Sequence, residues 1–418
     1  MLWKLSAHHR RGILLVAVMF MALFALPWLA MNFVKLLWEQ GPWGAVDLKL
    51  RYNEVQLWFA GRPVYRDQIQ AMHAVYPPAS YIMLWPLLGW LTFPPARVVW
   101  AAMMGAALGG LGWLFVKESR AQTRLERIFV VLILLSMYAT GFSIGHGQLT
   151  IFVLWGLVTG LTLMSRDQLA WQEHLGVALL ILVALVKPTL SVPFLWLVLF
   201  LPGTLQPALF VVLGYTALTM LAITFQGFDL SSLLQDWLSR SLEGVAREAA
   251  GGGYGNLHSW LAFIGLEQWN LPVSLLVVLT LGFWTCQYRH GDLWLLLGVT
   301  AIVARFWTYH RSYDDMLVLL PMITLFRIAR DGPSGTRFAV MAGLLLAIAV
   351  ISMFVPALIF VLPSWKPLLK TSQTPVPLLL LIFLLYWGRY EQRARTDDCV
   401  YRGTCKRKSQ TRRFPPTC

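Results

Sequence analysis

Residues 13–34, ILLVAVMFMALFALPWLAMNFV, run uncharged past the roughly 20 residues a helix needs to cross a bilayer. The preceding MLWKLSAHHRRG (1–12) resembles the charged start of a signal peptide. The apolar run is too long for one, however, and offers no small-residue cleavage site. The stretch therefore predicts an uncleaved first span over about 13–38, with its N-terminus in the cytoplasm. It gives way to the first long polar segment, EQGPWGAVDLKLRYNEVQLWFAGRPVYRDQIQAMHAVYPP (39–78). Asp47, Lys49, Arg51, Glu54, Arg62, Arg66, Asp67 and His73 lie there among Trp43, Trp58, Phe59, Tyr65 and Tyr76. Charges framed by interfacial aromatics at the end of a span suit a site that works on an amphipathic molecule at the membrane surface.

Composition extends this reading to the whole chain. Of 418 residues, 57% are hydrophobic and 13% charged, about half the usual soluble fraction, and the mean hydropathy is +0.61. No polar stretch is long enough to close a soluble core of its own. The net charge of +14 would point to nucleic acid in a soluble protein. Here it collects in short segments beside spans, as the positive-inside rule requires, and no nucleic-acid partner is expected. Three of the four cysteines, Cys399, Cys405 and Cys418, fall in the basic C-terminal tail and the fourth is Cys286, so no disulfide framework is implied. No cluster has zinc-ligand spacing, and neither a metal nor a cofactor is expected.

Further apolar segments fall at about 79–93, 96–116, 128–143, 149–164, 175–201, 207–225, 271–288, 293–309, 314–328, 338–362 and 376–388. The expected fold is an all-α polytopic membrane protein of about twelve transmembrane helices. A single domain would cover 1–388, with large loops at about 39–78 and 226–270 and a basic cytoplasmic tail at 389–418. This count puts both loops and the turn near His310 outside the cytoplasm, and RIARDGPSGTR (327–337) inside. It also puts the basic KESRAQTRLER (117–127) outside, against the positive-inside rule. An alternative makes 79–93 re-entrant, splits 175–201 at Lys187–Pro188, and brings 117–127 inside while leaving everything after 207 unchanged. Within the first loop, Leu48, Tyr52, Val55 and Phe59 recur at helical spacing, so 48–60 is expected to be a short interfacial helix ended by Gly61 and Pro63.

Five stretches carry candidate chemistry. Asp47, close to the membrane surface, can accept the proton of an attacking hydroxyl, although a solvated loop acid or a helix-start charge is the plainer alternative. Glu54 reads first as a solvated or salt-bridged helix residue. Tyr76–Pro77–Pro78 fixes an extended entry to the next segment and can form the wall of a cleft. His146 and Gln148 sit in GHGQ (145–148), a glycine-flanked turn between apolar segments. Lys187 stands in mid-segment, where a cation costs roughly 2.5–3.5 kcal/mol on insertion scales, which points to function or to a partner. Arg305, His310, Arg311, Asp314 and Asp315 crowd one late turn. Its cations can hold a phosphate, while Asp314 can instead pair with His310 or Arg311 as a surface ion pair worth little.

Taken in order, these pieces resemble glycosyltransferase family 87 of the GT-C superfamily. Asp47 follows the first span. GRPVY (61–65), VYPPASYIMLWPL (75–87), GQLTIFVLW (147–155), ALVKPTLSVPFLWLVL (184–199) and YHRSYDDMLVLLP (309–321) resemble the family's successive motifs, over about residues 12–325. The resemblance implies a GT-C-like bundle and transfer of a mannose-like sugar from a polyprenyl-phosphate donor. The acceptor would be a glycan or glycolipid on the extracytoplasmic face of the cell membrane, with inversion and without a metal. Asp47 would be the general base, and His310, Arg311 and Lys187 would hold the donor phosphate. Glu54, Tyr65, Tyr76, His146 and Gln148 would line the cleft, with membrane lipids around them. Two further readings stay open on the residues: a transporter or flippase using Lys187, His146 and His310, and a polysaccharide polymerase or ligase working through the 226–270 loop.

Overall fold

Helix α1 (Ala7–Trp38) carries the uncharged run and turns large apolar side chains such as Phe20, Leu23 and Leu26 outward, an arrangement suited to lipid. The computed structural model describes residues 7–41, 43–66, 74–166, 169–203, 205–227, 229–250, 255–308, 310–332, 337–354 and 374–401. Asp67, His73, Tyr254, Tyr309 and the tail beyond 401 lie outside the described residues, as do the side chains of Asp397, Asp398 and Cys399. Among the described residues there are helices and no strands. Four helices among the described residues are long and apolar enough to cross a membrane: Arg11–Trp38, Phe93–Glu118, Leu205–Ile223 and Glu267–Tyr288. Two bent pairs raise the number to six, and four shorter apolar helices accompany them. Length and composition thus support four to six of the twelve expected spans.

After α1 come α2 (Val46–Phe59), α3 (Pro78–Leu88), α4 (Phe93–Glu118), α5 (Arg124–Ser136), α6 (Tyr138–His146) and α7 (Thr150–Met164). Then follow α8 (Trp171–Ala184), α9 (Pro188–Ser191), α10 (Leu195–Phe200), α11 (Leu205–Ile223), α12 (Leu230–Ala250) and α13 (Leu257–Phe263). The chain closes with α14 (Asn270–Tyr288), α15 (Leu293–Phe306), α16 (Leu319–Asp331), α17 (Arg337–Ser352) and α18 (Pro375–Tyr401). The expected loop helix is α2, and it ends at Gly61 in the left-handed region (φ 70).

The contacts decide between the two arrangements read from sequence. At one end of α4, Arg97 donates to the carbonyls of Leu36 (2.6 Å) and Glu39 (2.8 Å), closing the last turn of α1. At the other end, Arg120 pairs with Asp331 (3.3 Å) and Asp292 (3.6 Å), and Arg327 pairs with Asp292 (2.7 Å). The Trp294 indole donates to Glu118 at 3.3 Å. Segment 117–127 therefore shares an end of the bundle with 289–292 and 327–331, and the count that separated them is corrected. Helix α3 supplies part of the reason. Tyr76, just before it, lies under the Arg51 guanidinium (4.3 Å), while Gln56 donates to the carbonyl of Leu88, its last residue (2.7 Å). Both ends of α3 thus rest on α2, and at 11 residues the helix is too short to cross a bilayer by itself. The second part is the break at Lys187–Pro188. Pro188 starts a new helix and the chain turns by 117° between α8 and the α9–α10 stretch.

Both large loops lie at the end opposite Arg120 and touch each other. Arg66 pairs with Asp236 on α12 (2.7 Å), the Trp237 indole donates to Val75 (3.1 Å), and Arg240 donates to Tyr65 (2.9 Å). The late turn joins them, because Arg305 donates to the Gly255 carbonyl at 2.9 Å. The shared location expected for the two loops and the His310 turn is therefore seen.

Candidate active site

The start of α2 is fixed by its neighbours rather than by a side-chain cap. Ala45 is buried in a left-handed conformation (φ 47), and its amide donates to the Gly145 carbonyl on α6 at 3.2 Å. Gly147 then caps α6 with φ 70, and a Cβ there would collide with the Cβ of Leu48. The α6–α7 turn and the first turn of α2 are thus pressed together, which sets Asp47 beside His146 and Gln148. The His146 Nδ1 lies 3.5 Å from the Asp47 Oδ2. Burial works to raise the Asp47 carboxyl. Hydrogen bonds from His146 and Gln148, and the charges of His146 and Arg51, outweigh it and hold Asp47 below its ordinary value. The Asp47 and His146 side chains keep 16% and 25% of their exposure, so an incoming molecule can reach both.

The cations expected around a phosphate converge on this point from far along the chain. Lys187, at the break, places its Nζ 2.5 Å from Asp314 Oδ1 and 4.6 Å from the centre of the Tyr313 ring. Thr150 completes the group, 3.4 Å from Nζ and 3.2 Å from Asp314 Oδ1. Asp314 is therefore a buried partner of Lys187, not the surface partner of His310 or Arg311 weighed from sequence. Burial opposes the Arg311 charge, but Tyr313, Asp47 and Asp314 hold it above its ordinary value. Lys187 and Arg311 both lie close enough to Asp47 for their charges to act on it.

His310 pairs one residue further on. Its Nε2 is 2.7 Å from Asp315 Oδ1, and Arg305 Nε reaches the same oxygen at 2.6 Å. Arg305 and His310 thus meet on one buried carboxylate oxygen. Burial, then the charges of Arg305 and Lys187, push the His310 imidazole well below its ordinary value, so it sits neutral.

The residues expected to line the cleft divide into two groups. His146 is at the surface, with Gln148 buried directly behind it. Glu54 and Tyr65 are shut off: Glu54 is wholly buried, so it is salt-bridged but not solvated, and Tyr65 donates to the Tyr76 carbonyl at 2.6 Å. Tyr76 carries the Arg51 guanidinium on its ring. Sequence reasoning missed Arg51, Thr150 and Tyr81 as members of the site, and missed Arg305 as its tie to the second loop. Arg51 had a signal, standing four residues after Asp47 and three before Glu54 on one helical face. Thr150 and Tyr81 join the site across separate helices and had none, while Arg305 stood in the late cluster without any sign of its tie to Gly255.

A family model described as Glycosyltransferase family 87 matches residues 74–326. The match begins after Asp47 and takes in Tyr76, His146, Gln148, Lys187, His310 and Arg311, a narrower range than the resemblance over 12–325 implied. No curated protein matches the chain. No solved structure matches it either.

Proposed function

The chain belongs to glycosyltransferase family 87 and is a transmembrane glycosyltransferase, and on that premise we propose that it moves a mannose-like sugar from a polyprenyl-phosphate donor to a glycan or glycolipid hydroxyl. The observation that carries the reading is the juxtaposition of a reachable carboxylate, Asp47, with Arg311 and Lys187, whose charges act on it. In the proposed step the acceptor oxygen attacks the anomeric carbon and its proton passes to Asp47. The bond from that carbon to the phosphate oxygen breaks, and the electron pair leaves with the polyprenyl phosphate. One displacement inverts the anomeric centre. Arg311, half-exposed, meets the growing phosphate charge, Lys187 adds its charge from beside Asp314, and the neutral His310, held by Asp315, contributes no charge of its own. A deep, dry setting makes such charges more effective than they are in water, so the step draws on the protein's own cations.

An ionised base suits this chemistry. The His146 and Gln148 contacts keep Asp47 charged at neutral pH, and its remaining exposure leaves room for an acceptor hydroxyl. The wider proposal is a GT-C-like bundle of about twelve spans in the cell membrane, forming one domain over 1–388. The Asp47 end would lie outside the cytoplasm, and the N-terminus and the 389–418 tail inside. The 226–270 loop, docked on the first loop, would choose the acceptor. The test is incubation of purified protein with polyprenyl-phosphate mannose, glucose or arabinofuranose and membrane lipids, with mass spectrometry of the products. A new glycosidic bond is expected with one donor and is lost in Asp47→Asn. Transport of labelled substrate into proteoliposomes without bond formation would overturn the proposed reaction, and substantial turnover by Asp47→Asn would remove Asp47 as the base.

A further inference from the structure

We infer that Glu54 is a positioning residue for Asp47, gripping Arg51 and so setting how strongly that guanidinium bears on the base. The inference rests on the proposed role of Asp47. Asp47, Arg51 and Glu54 stand at i, i+4 and i+7 on α2 and share one face. Asp47 is at the surface end of that row and Glu54 is wholly buried at the other. Between them, Arg51 Nη2 donates to Glu54 Oε1 at 2.6 Å, and the guanidinium lies over the Tyr76 ring. Arg51 also acts on Asp47 through its charge.

The consequence follows from charge balance. With Glu54 ionised, the Arg51 charge is matched locally and Asp47 is the stronger base. With Glu54 protonated, the guanidinium bears on Asp47 uncompensated and draws down its basicity. The groups around Glu54 are set by three elements. Tyr81 on α3 lies 3.4 Å from its Oε2, and Trp58 of α2 stacks on Tyr81 at 4.5 Å. Tyr65 closes the cage from the loop, itself near Tyr215 on α11. Asp47 in turn faces His146, Gln148, Lys187 and Arg311 besides Arg51. Burial first, partly offset by Arg51 and by the Tyr81 hydrogen bond, pushes the Glu54 carboxyl up to about 8, so its charge changes in the mildly basic range. A buried ion pair is weak support for a fold, which leaves a merely structural reason for this one thin.

The test is the pH profile of kcat in the wild-type protein, with polyprenyl-phosphate mannose, or with the glucose or arabinofuranose donor if that is the one turned over. The expected result is a rise of roughly two- to fivefold through an inflection near pH 8, as the base strengthens. Glu54→Gln keeps the shape of the side chain and removes its titration, so the inflection disappears. Tyr81→Phe removes a hydrogen bond that favours ionised Glu54, so the inflection moves to higher pH. A wild-type profile flat between about pH 7 and 9, or an inflection that persists in Glu54→Gln, would overturn the inference. If Glu54→Gln does not fold, an unmoved inflection in Tyr81→Phe overturns it instead. Asp47→Asn run in parallel separates the two claims. Turnover in that variant sinks the base itself, while an inactive Asp47→Asn beside an unaltered Glu54→Gln profile sinks only the role of Glu54.

Discussion

Replacing Lys187 by Met tests whether this mid-segment cation holds the architecture or the ligand. The wild-type ammonium sits 2.5 Å from Asp314, with the two side chains 5% and 2% exposed. At an effective dielectric of about 20 that separation corresponds to a gross attraction of about 6–7 kcal/mol. Desolvation of both ions cancels much of it, so the net worth of the intact pair is small. Removing one partner is different, because Asp314 is left buried without its ammonium, although the Thr150 hydroxyl and the Arg311 amide still reach it. Such half-removals cost about 3–5 kcal/mol. At about 2.1 cal/mol/K of unfolding entropy per residue, this lowers Tm by roughly 3–6 °C. Lys187→Met with Asp314→Asn removes both charges and should recover most of the lost Tm, so the two substitutions are far from additive in a double-mutant cycle. The assay is thermal unfolding of the purified protein in detergent without donor. A Lys187→Met variant with wild-type Tm and a raised KM for donor would refute the reasoning, since the charge would then be spent on phosphate and not on Asp314.

Asp47 is held below its ordinary value of 3.8, so it stays ionised as pH falls, and the acid limb of kcat/KM is expected below that pH. His146→Ala removes its largest favourable contact and should move the limb upward. Gly147→Ala places a methyl group on a φ of +70 and against Leu48, which should cost about 1–3 kcal/mol and lower kcat by displacing Gln148 and His146 from Asp47. Circular dichroism melting and product formation read the two effects separately. In a cysteine-free background, Arg124→Cys and His290→Cys should label with an impermeant maleimide from one side of the membrane and Lys49→Cys from the other, because Arg120 ties the first two regions to a single end. Labelling of positions 124 and 290 from opposite sides would contradict that end-sharing.

What could be read from the sequence was local, and what could not was rotational. The first span, the α2 helix, its stop at Gly61 and the break at Lys187–Pro188 each depend on neighbouring residues, through run length, spacing or the geometry of Gly and Pro. The partners of the charged groups depend on how each helix is turned about its own axis. In α7 and α15, whose buried faces are apolar nearly all round, the sequence carries little record of that turn. Asp314 and Asp315 illustrate the gap. They are adjacent, and they open a segment that is buried through Ala329, so neither had solvent available to it. Two acids in a tight 3-10 turn (Ser312–Val318) point in different directions, and each must find its own cation. Asp314 finds Lys187, 127 positions earlier, and Asp315 finds Arg305 and His310. The turn is therefore pinned twice, once to the broken α8–α9 segment and once to the helix that carries the second loop's contact through Gly255. That double pin is what brings Arg311 near Asp47. A substitution at either acid should consequently disturb Arg311 as well as its own partner, which makes the pair of aspartates, rather than any single cation, the point on which the proposed phosphate-facing half of the site depends.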